Sequence, residues 1–166
     1  MRLINALTKR TVLISDGAWG TFLLAKGLEP GQCPELWCIE RPDDVCQIGK
    51  AYIDAGADMI ETNSFGANRI KLRHYGLENR VAEINEKAAC LSRQAAGEER
   101  FVLGSIGPTG ALVITGDVTE EELFEIFAEQ ASALERGGAD AICIETMSAL
   151  DEAGCAVKAA KMHTSL

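Results

Sequence analysis

The segment Gly56-Ala57-Asp58-Met59-Ile60-Glu61-Thr62 returns later in the chain as Gly138-Ala139-Asp140-Ala141-Ile142-Cys143-Ile144-Glu145-Thr146. Each copy follows a stretch with helical apolar spacing. Each reads as a helix stop, a short buried strand, then a carboxylate and a hydroxyl where the strand ends. A recurring helix-to-strand unit calls for parallel strands with helical crossovers, and it gathers polar groups at one rim.

Two further strands complete the pattern. Val12-Leu13-Ile14-Ser15 is a short apolar run ending at Asp16-Gly17, and Phe101-Val102-Leu103 ends in the glycine-rich turn Ser105-Ile106-Gly107-Pro108-Thr109-Gly110. Helical spacing predicts helices over 19–26, 42–55, 67–74, 79–96, 119–136 and 149–162. Pro42 suits a first helical turn, because its missing N–H would be unpaired there anyway. Val45, Ile48, Tyr52 and Ile53 form the inner stripe of that helix, and Gly56 stops it. Val81, Ile84, Ala88 and Leu91 share one face of a later helix. Thr119 with Glu122 makes a capping box, ahead of a buried face at Leu123, Ile126, Phe127, Ala131 and Leu134.

The count is four strand–helix pairs. The strands are short and nearly all apolar, so burial on both faces is expected. Two architectures fit: the first four units of an eightfold β/α barrel, or a small doubly wound sheet. Asp16, Glu61, Asn63, Ser105 and Glu145 all fall at strand ends, as a barrel mouth requires, which favours the half barrel. One α/β domain over 1–166 is the expectation.

Composition narrows the partners. The formal net charge of −9 disfavours nucleic acid, whose phosphates need a basic face. No run approaches the ~18 apolar residues of a membrane helix. Residues 1–11 include Arg2, Lys9 and Arg10 but no apolar stretch of signal-peptide length, so a cytoplasmic address is expected. The six cysteines, Cys33, Cys38, Cys46, Cys90, Cys143 and Cys155, contain no C-x-x-C pair. They are read as free thiols, and no metal site is assigned to them.

Asp16-Gly17 can form a receptor for a zwitterion. The carboxylate would hold an ammonium, and the exposed amides of Gly17 and Ala18 would hold a carboxylate. The alternative is that Asp16 only caps the following helix. Glu145 can add a second charge against the same ammonium, or pair with a cation at the rim. Glu61 holds the equivalent place in the other copy, and one of the two copies can be purely structural. Asn63 and Ser105 offer neutral donors and acceptors at two more strand ends, or serve as turn residues. Arg69, Lys71, Arg73 and His74 read as a solvated helix face. The only histidines, His74 and His163, have no evident partner, which argues against a histidine dyad.

Five strings occur in an order that resembles the homocysteine S-methyltransferase family: Asp16-Gly17-Ala18-Trp19-Gly20-Thr21; Cys33-Pro34-Glu35-Leu36-Trp37; Glu61-Thr62-Asn63-Ser64-Phe65-Gly66-Ala67-Asn68; Gly104-Ser105-Ile106-Gly107-Pro108-Thr109-Gly110; and Ile144-Glu145-Thr146-Met147. They span nearly the whole chain. The run is more similar to the homocysteine-binding module of the cobalamin-dependent methionine synthases than to the betaine-using branch.

The resemblance implies a β/α barrel in which zinc binds the homocysteine sulfur and the thiolate takes a methyl group, here from a methylcorrinoid on a partner module. By motif, Asp16 and Glu145 would take the ammonium, the amides of Gly17 and Ala18 the carboxylate, and Asn63 and Ser105 would line the pocket. The family's zinc thiolates lie in a Gly-x-Asn-Cys-Gly-like segment and a later Cys-Cys pair, and this chain contains neither. It is therefore expected to carry the amino-acid-binding half without the metal half, as a fragment, a truncated product or one half of a split enzyme. Without the activated thiolate it is expected not to turn over alone. Two alternatives are a non-catalytic half barrel that self-associates through its open sheet edges, and another barrel enzyme with an anion site at the glycine-rich turn.

Overall fold

A computed structural model describes residues 2–9 and 12–166. Met1, Arg10 and Thr11, part of the amino-terminal segment read above, lie outside the described residues. The chain runs α1 (Arg2–Lys9), α2 (Trp19–Ala25), α3 (Trp37–Glu40), α4 (Pro42–Asp54), β1 (Met59–Glu61), α5 (Arg69–Arg73), α6 (Val81–Ala96), β2 (Phe101–Ile106), α7 (Glu120–Arg136), β3 (Ala141–Ile144) and α8 (Leu150–His163), with a 3₁₀ turn at Val113–Thr115.

The three strands are parallel in the order β1-β2-β3. Met59 pairs with Phe101, Glu61 with Leu103, and Leu103 in turn with Ala141. The expected first strand is reduced to one parallel bridge between Ser15 and Met59. Its backbone still lies along β1: the Ile14 carbonyl accepts from the Asp58 and Met59 amides, and the Asp16 amide donates to the Met59 carbonyl. Four parallel segments thus follow one another in space as in sequence. A doubly wound sheet would reverse direction at a switch point. No reversal occurs, so the arrangement is an arc of a β/α barrel.

Alternation along the strands separates two faces. Ile60, Val102 and Ile106 point to the helices and pack with Leu123, Phe127, Ala131 and Leu134 of α7 and with Ala156, Ala159 and Ala160 of α8. A second core joins Leu23, Trp37, Val45, Ile48 and Leu91 beneath α2, α3 and α4. The other face carries Met59, Glu61, Leu103, Ser105, Ala141 and Cys143.

Burial on both faces holds only for the central strand. Leu103 alone is half-buried in β2, whereas all four residues of β3 are half-buried. At the opposite edge Val12 is 65% and Ile14 59% exposed. The reason is lateral: β2 has a strand on each side, but among the described residues β3 and the 12–15 segment each have one.

The repeat has a common structural task. Gly56 and Gly138 stop their helices at φ 105° and 99°, a region open to glycine at no steric cost. The aspartate two residues later then ties its strand to the previous one. Asp58 accepts the Ile14 amide at 3.0 Å and pairs with Arg100 at 2.9 Å. Asp140 accepts the Val102 amide at 2.8 Å and pairs with Arg93.

The capping box at Thr119 and Glu122 forms with both bonds in place. The helix expected over 67–74 is shorter, because the Asn68 side chain accepts from the Lys71 amide and starts α5 at Arg69. Among the described residues no helix is long and apolar enough to cross a membrane.

Candidate functional site

The carboxyl ends of the strands open into a cavity of about 520 Å³. Its walls include Asp16, Gly17, Ala18, Asn63, Ser105 and Glu145, together with Glu35, Glu61, Thr62, Ser64 and Phe65. All six residues expected from sequence therefore face one space.

Asp16 is not the cap of α2. Ala18 holds that position, with no side-chain capping bond. Instead Asp16 Oδ2 accepts the Trp19 indole N–H at 2.8 Å and the Glu61 amide at 2.9 Å, while Oδ1 accepts the Ser15 hydroxyl at 3.0 Å. The carboxylate clamps the loop before α2 onto β1. The Tyr52 hydroxyl donates to the Ala18 carbonyl at 2.9 Å and steadies the same loop from α4. Gly17 and Ala18 are exposed, and their amides meet no acceptor among the described residues.

Ser105 is a strand residue, not a turn residue, and it is 1% exposed. Its amide donates to Thr62 Oγ1 at 2.9 Å, its carbonyl accepts the Ser64 hydroxyl at 2.7 Å, and its own hydroxyl donates to Glu145 Oε1 at 2.5 Å. Thr62 and Ser64 lie 2.5 Å apart, oxygen to oxygen. Because the Ser64 hydroxyl gives its one proton to the Ser105 carbonyl, it accepts from Thr62, whose Oγ1 accepts the Ser105 amide. This closed relay locks the end of β1 to β2 and aims Ser105 at Glu145.

Asn63 is buried, and its amide nitrogen donates to the Pro34 carbonyl at 2.8 Å. It anchors the segment before α3, where Pro34 and Glu35 wall the cavity. Glu35 serves the same loop, accepting the Gly66 amide at 2.7 Å and the Cys33 thiol at 3.3 Å.

Glu145 precedes Thr146, which sits at φ 57°. A β-branched residue in the left-handed region is a steric outlier, and such strain concentrates where a side chain must be held in place. Glu61, its counterpart in the repeat, faces the same cavity, so neither copy is set aside from the rim. Burial, followed by the nearby Glu145 charge, pushes the Glu61 carboxyl up to about 7; the Asp16 charge adds to this and the Cys143 thiol opposes it. Burial and the Glu61 charge push the Cys143 thiol up to about 12. Among the described residues the cavity lining holds no lysine, arginine or histidine. In sequence the repeat makes Glu61 the equivalent of Glu145, but because one of the two copies can be purely structural, that equivalence alone does not carry Glu61 into the site.

The glycine-rich turn is no free anion cradle. The Gly107 amide donates to the Phe65 carbonyl, and Thr109 gives both its amide and its hydroxyl to Glu152 Oε1, at 2.7 and 2.6 Å. Glu152, 3% exposed on α8, is the anion this turn holds.

Zinc, implied by the resemblance, does not fit the residues present. Among the described residues no three His, Cys, Asp or Glu side chains are grouped to hold a metal ion. Cys33 and Cys38 are buried thiols raised by desolvation, Cys33 to about 12.

The basic run on α5 divides. Arg69 pairs with Glu129 at 2.7 Å, Lys71 lies over the Phe65 ring, and Arg73 and His74 are exposed.

Comparison with known proteins agrees with this architecture. A homocysteine S-methyltransferase family model matches residues 13–165. The methionine synthase of Mycobacterium tuberculosis (strain ATCC 25618 / H37Rv) is 36% identical over 93% of this chain, and that of Mycobacterium leprae (strain TN) is 33% identical over 93%. The chain spans 14% of the length of each of these relatives. Among solved structures, the homocysteine methyltransferase MmuM from Escherichia coli in its metallated form superposes with a TM-score of 0.81 at 25% identity, covering 96% of this chain and 62% of that one. The fold is accordingly part of the β/α barrel of a homocysteine methyltransferase. With the match running along nearly its entire length, the chain belongs to the homocysteine S-methyltransferase family.

Proposed function

We propose that this chain is the amino-acid-binding part of a homocysteine methyltransferase-type domain. The observation that carries this reading is a cavity whose charged side chains, among the described residues, are all carboxylates and whose lining includes the unpaired loop amides of Gly17 and Ala18. Glu145 and Asp16 present negative charge to the ligand's ammonium, and the amides of Gly17 and Ala18 receive its carboxylate. Ser105 holds Glu145 in place, and Asn63 holds the loop that walls the cavity.

In the transfer itself a sulfur electron pair forms the bond to the methyl carbon, and the donor keeps the pair of the bond that breaks. The proposed donor is a methylcorrinoid on a separate module. Zinc would supply thiolate activation in the whole domain, with ligands from outside these residues. A bound thiol with a pKa near that of cysteine, ~8.5, is mostly protonated at neutral pH. The chain by itself is therefore expected to bind homocysteine without turnover, in a cytoplasmic setting.

Titration calorimetry with homocysteine and, separately, inorganic phosphate tests the reading. Homocysteine should bind and phosphate should not. Asp16→Ala and Glu145→Ala should each weaken homocysteine by about 1.5–3 kcal/mol, the range for a lost charge-assisted hydrogen bond. Phosphate binding without a homocysteine response would overturn it.

A second reading rests on the open edges. Exposed Val12 and Ile14 on one side and half-buried β3 on the other could pair with a second copy. Light scattering across a concentration series distinguishes the two: a mass that stays monomeric excludes the self-associating module.

A further inference from the structure

The acceptor positions of the four cavity carboxylates are unequally used. An ionised carboxylate offers ~4 such positions. Glu35 is engaged by the Gly66 amide and the Cys33 thiol. Asp16 receives three donors from its own fold: the Ser15 hydroxyl, the Trp19 indole and the Glu61 amide. Glu145 receives the Ser105 hydroxyl at 2.5 Å and the Thr146 hydroxyl at 3.4 Å. Glu61 has no N–H or alcohol donor among the described residues; its side-chain hydrogen-bond partners are the weak thiol donor of Cys143 and the carboxyl of Glu145, which raises it further. The groups facing it are Glu145, Cys143 and Asp16, and none is cationic.

A half-buried carboxylate lacking a strong donor is costly, and a neighbouring carboxylate raises that cost. An arriving ammonium removes it, since three N–H donors can reach Glu61 and Glu145 together. Asp16 has less to offer. Its oxygens are already committed, one of them to the backbone amide of Glu61.

We propose that Glu61, with Glu145 beside it, is the principal receptor for the ammonium group of the amino-acid ligand, and that Asp16, which adds its charge against the same ammonium, acts mainly by holding the backbone from which Glu61 projects. This rests on the amino-acid reading of the cavity given above. In the empty cavity Glu61 keeps a proton for part of the time near neutrality. Ligand entry sends that proton to solvent, and the ammonium takes its place.

The test compares homocysteine with 4-mercaptobutanoate, which keeps the thiol and carboxylate but lacks the amine. The full 166-residue chain should prefer homocysteine at least tenfold. Glu61→Gln should bring that preference to within about threefold, leaving 4-mercaptobutanoate affinity unchanged or improved. Asp16→Asn keeps an oxygen for the Trp19 and Glu61 donors and should retain most of the preference. Calorimetry near pH 7 in PIPES and in imidazole should reveal proton release on homocysteine binding, and Glu61→Gln should abolish it.

A preference that survives Glu61→Gln, or one lost in Asp16→Asn alone, overturns the proposal. Proton release unchanged in Glu61→Gln does the same. Equal wild-type affinity for the two ligands sinks the proposal but leaves a thiol-acid pocket standing, whereas no binding of either sinks the amino-acid reading and the proposal with it. If circular dichroism shows Glu61→Gln unfolded, Glu61→Asp, which withdraws the charge by one methylene, should lower the preference. An unchanged preference there also counts against the proposal.

Discussion

Asp58 and Asp140 perform the same task one repeat apart: each carboxylate accepts a backbone amide of the preceding strand, Ile14 for the first and Val102 for the second, and each pairs with an arginine. The strands are short, with three or four residues in β1 and β3, so few ladder bonds hold them. A side-chain tie at the start of a strand then carries a large share of the register. It sits at the opposite end from the cavity, so the repeat supplies a structural carboxylate at the strand entry and a functional one at the exit.

Asp140→Ala should therefore destabilise the fold without touching the cavity. It removes a charge-assisted bond to Val102 and leaves Arg93 without its carboxylate, a loss of about 1.5–3 kcal/mol. Urea denaturation should show the lower midpoint. Asp140→Asn, which keeps one acceptor, should fall between the two.

Gly137 is required by contact and not by conformation. Its φ of −75° suits any residue, but a Cβ there would lie 2.3 Å from the Glu86 carbonyl oxygen and 2.6 Å from the Ala89 Cβ. Backbone cannot swing aside as a side-chain tip can, so α7 would be pushed off α6. Gly137→Ala should cost about 1–3 kcal/mol, readable as a fall in thermal midpoint.

Stability should depend on pH through Glu61. Its carboxyl is raised from 4.5 to about 7, so the folded chain holds this proton more tightly than the unfolded chain. Unfolding then releases a proton between those values, and this contribution is full below pH 4.5 and lost as pH rises through about 7. Glu61→Gln should flatten that decline, leaving a variant more stable than the wild type at pH 8. Denaturation midpoints measured from pH 4 to 8 check it, and a parallel decline in both proteins would contradict it.

The thiols should separate by reactivity. Cys90 is exposed, while Cys33 and Cys143 are raised to about 12 and Cys38 higher still by burial. Reaction needs the thiolate and access to it. At pH 8 Cys90 should react with a disulfide reagent first, with Cys33, Cys38 and Cys143 following only after denaturant. Peptide mapping after timed alkylation gives the order.

Local signals in the chain were readable where the cause was local. The Thr119–Glu122 box, Pro42 at its helix start, and the glycine stops at 56 and 138 each need only neighbouring residues, and each forms as expected. Ser105 was ambiguous, because a serine beside glycines suits a turn. Its strand conformation comes from pairing on both sides, with Thr62 toward one edge and Cys143 toward the other. The 12–15 run was apolar enough for a strand but lacks a neighbour on its outer side, so only the Ser15 bridge forms. Asp16 read equally well as a helix cap, and nothing within the sequence pointed to its real donors, Trp19 and the Glu61 amide.

The sequence by itself determined the parallel β/α order, the family, and the set of residues that reach the rim. Periodicity, caps and ordered motifs depend on spacing along the chain, and spacing is what a sequence records. Only the tertiary structure decided how the rim divides its labour: Asp16 clamping a loop, Ser105 aiming Glu145, Thr109 holding Glu152, and Glu61 left without a strong donor beside a second carboxylate. Those roles depend on which donors lie within about 3 Å of which oxygens. Partners up to 45 residues apart come that close only when the sheet is assembled.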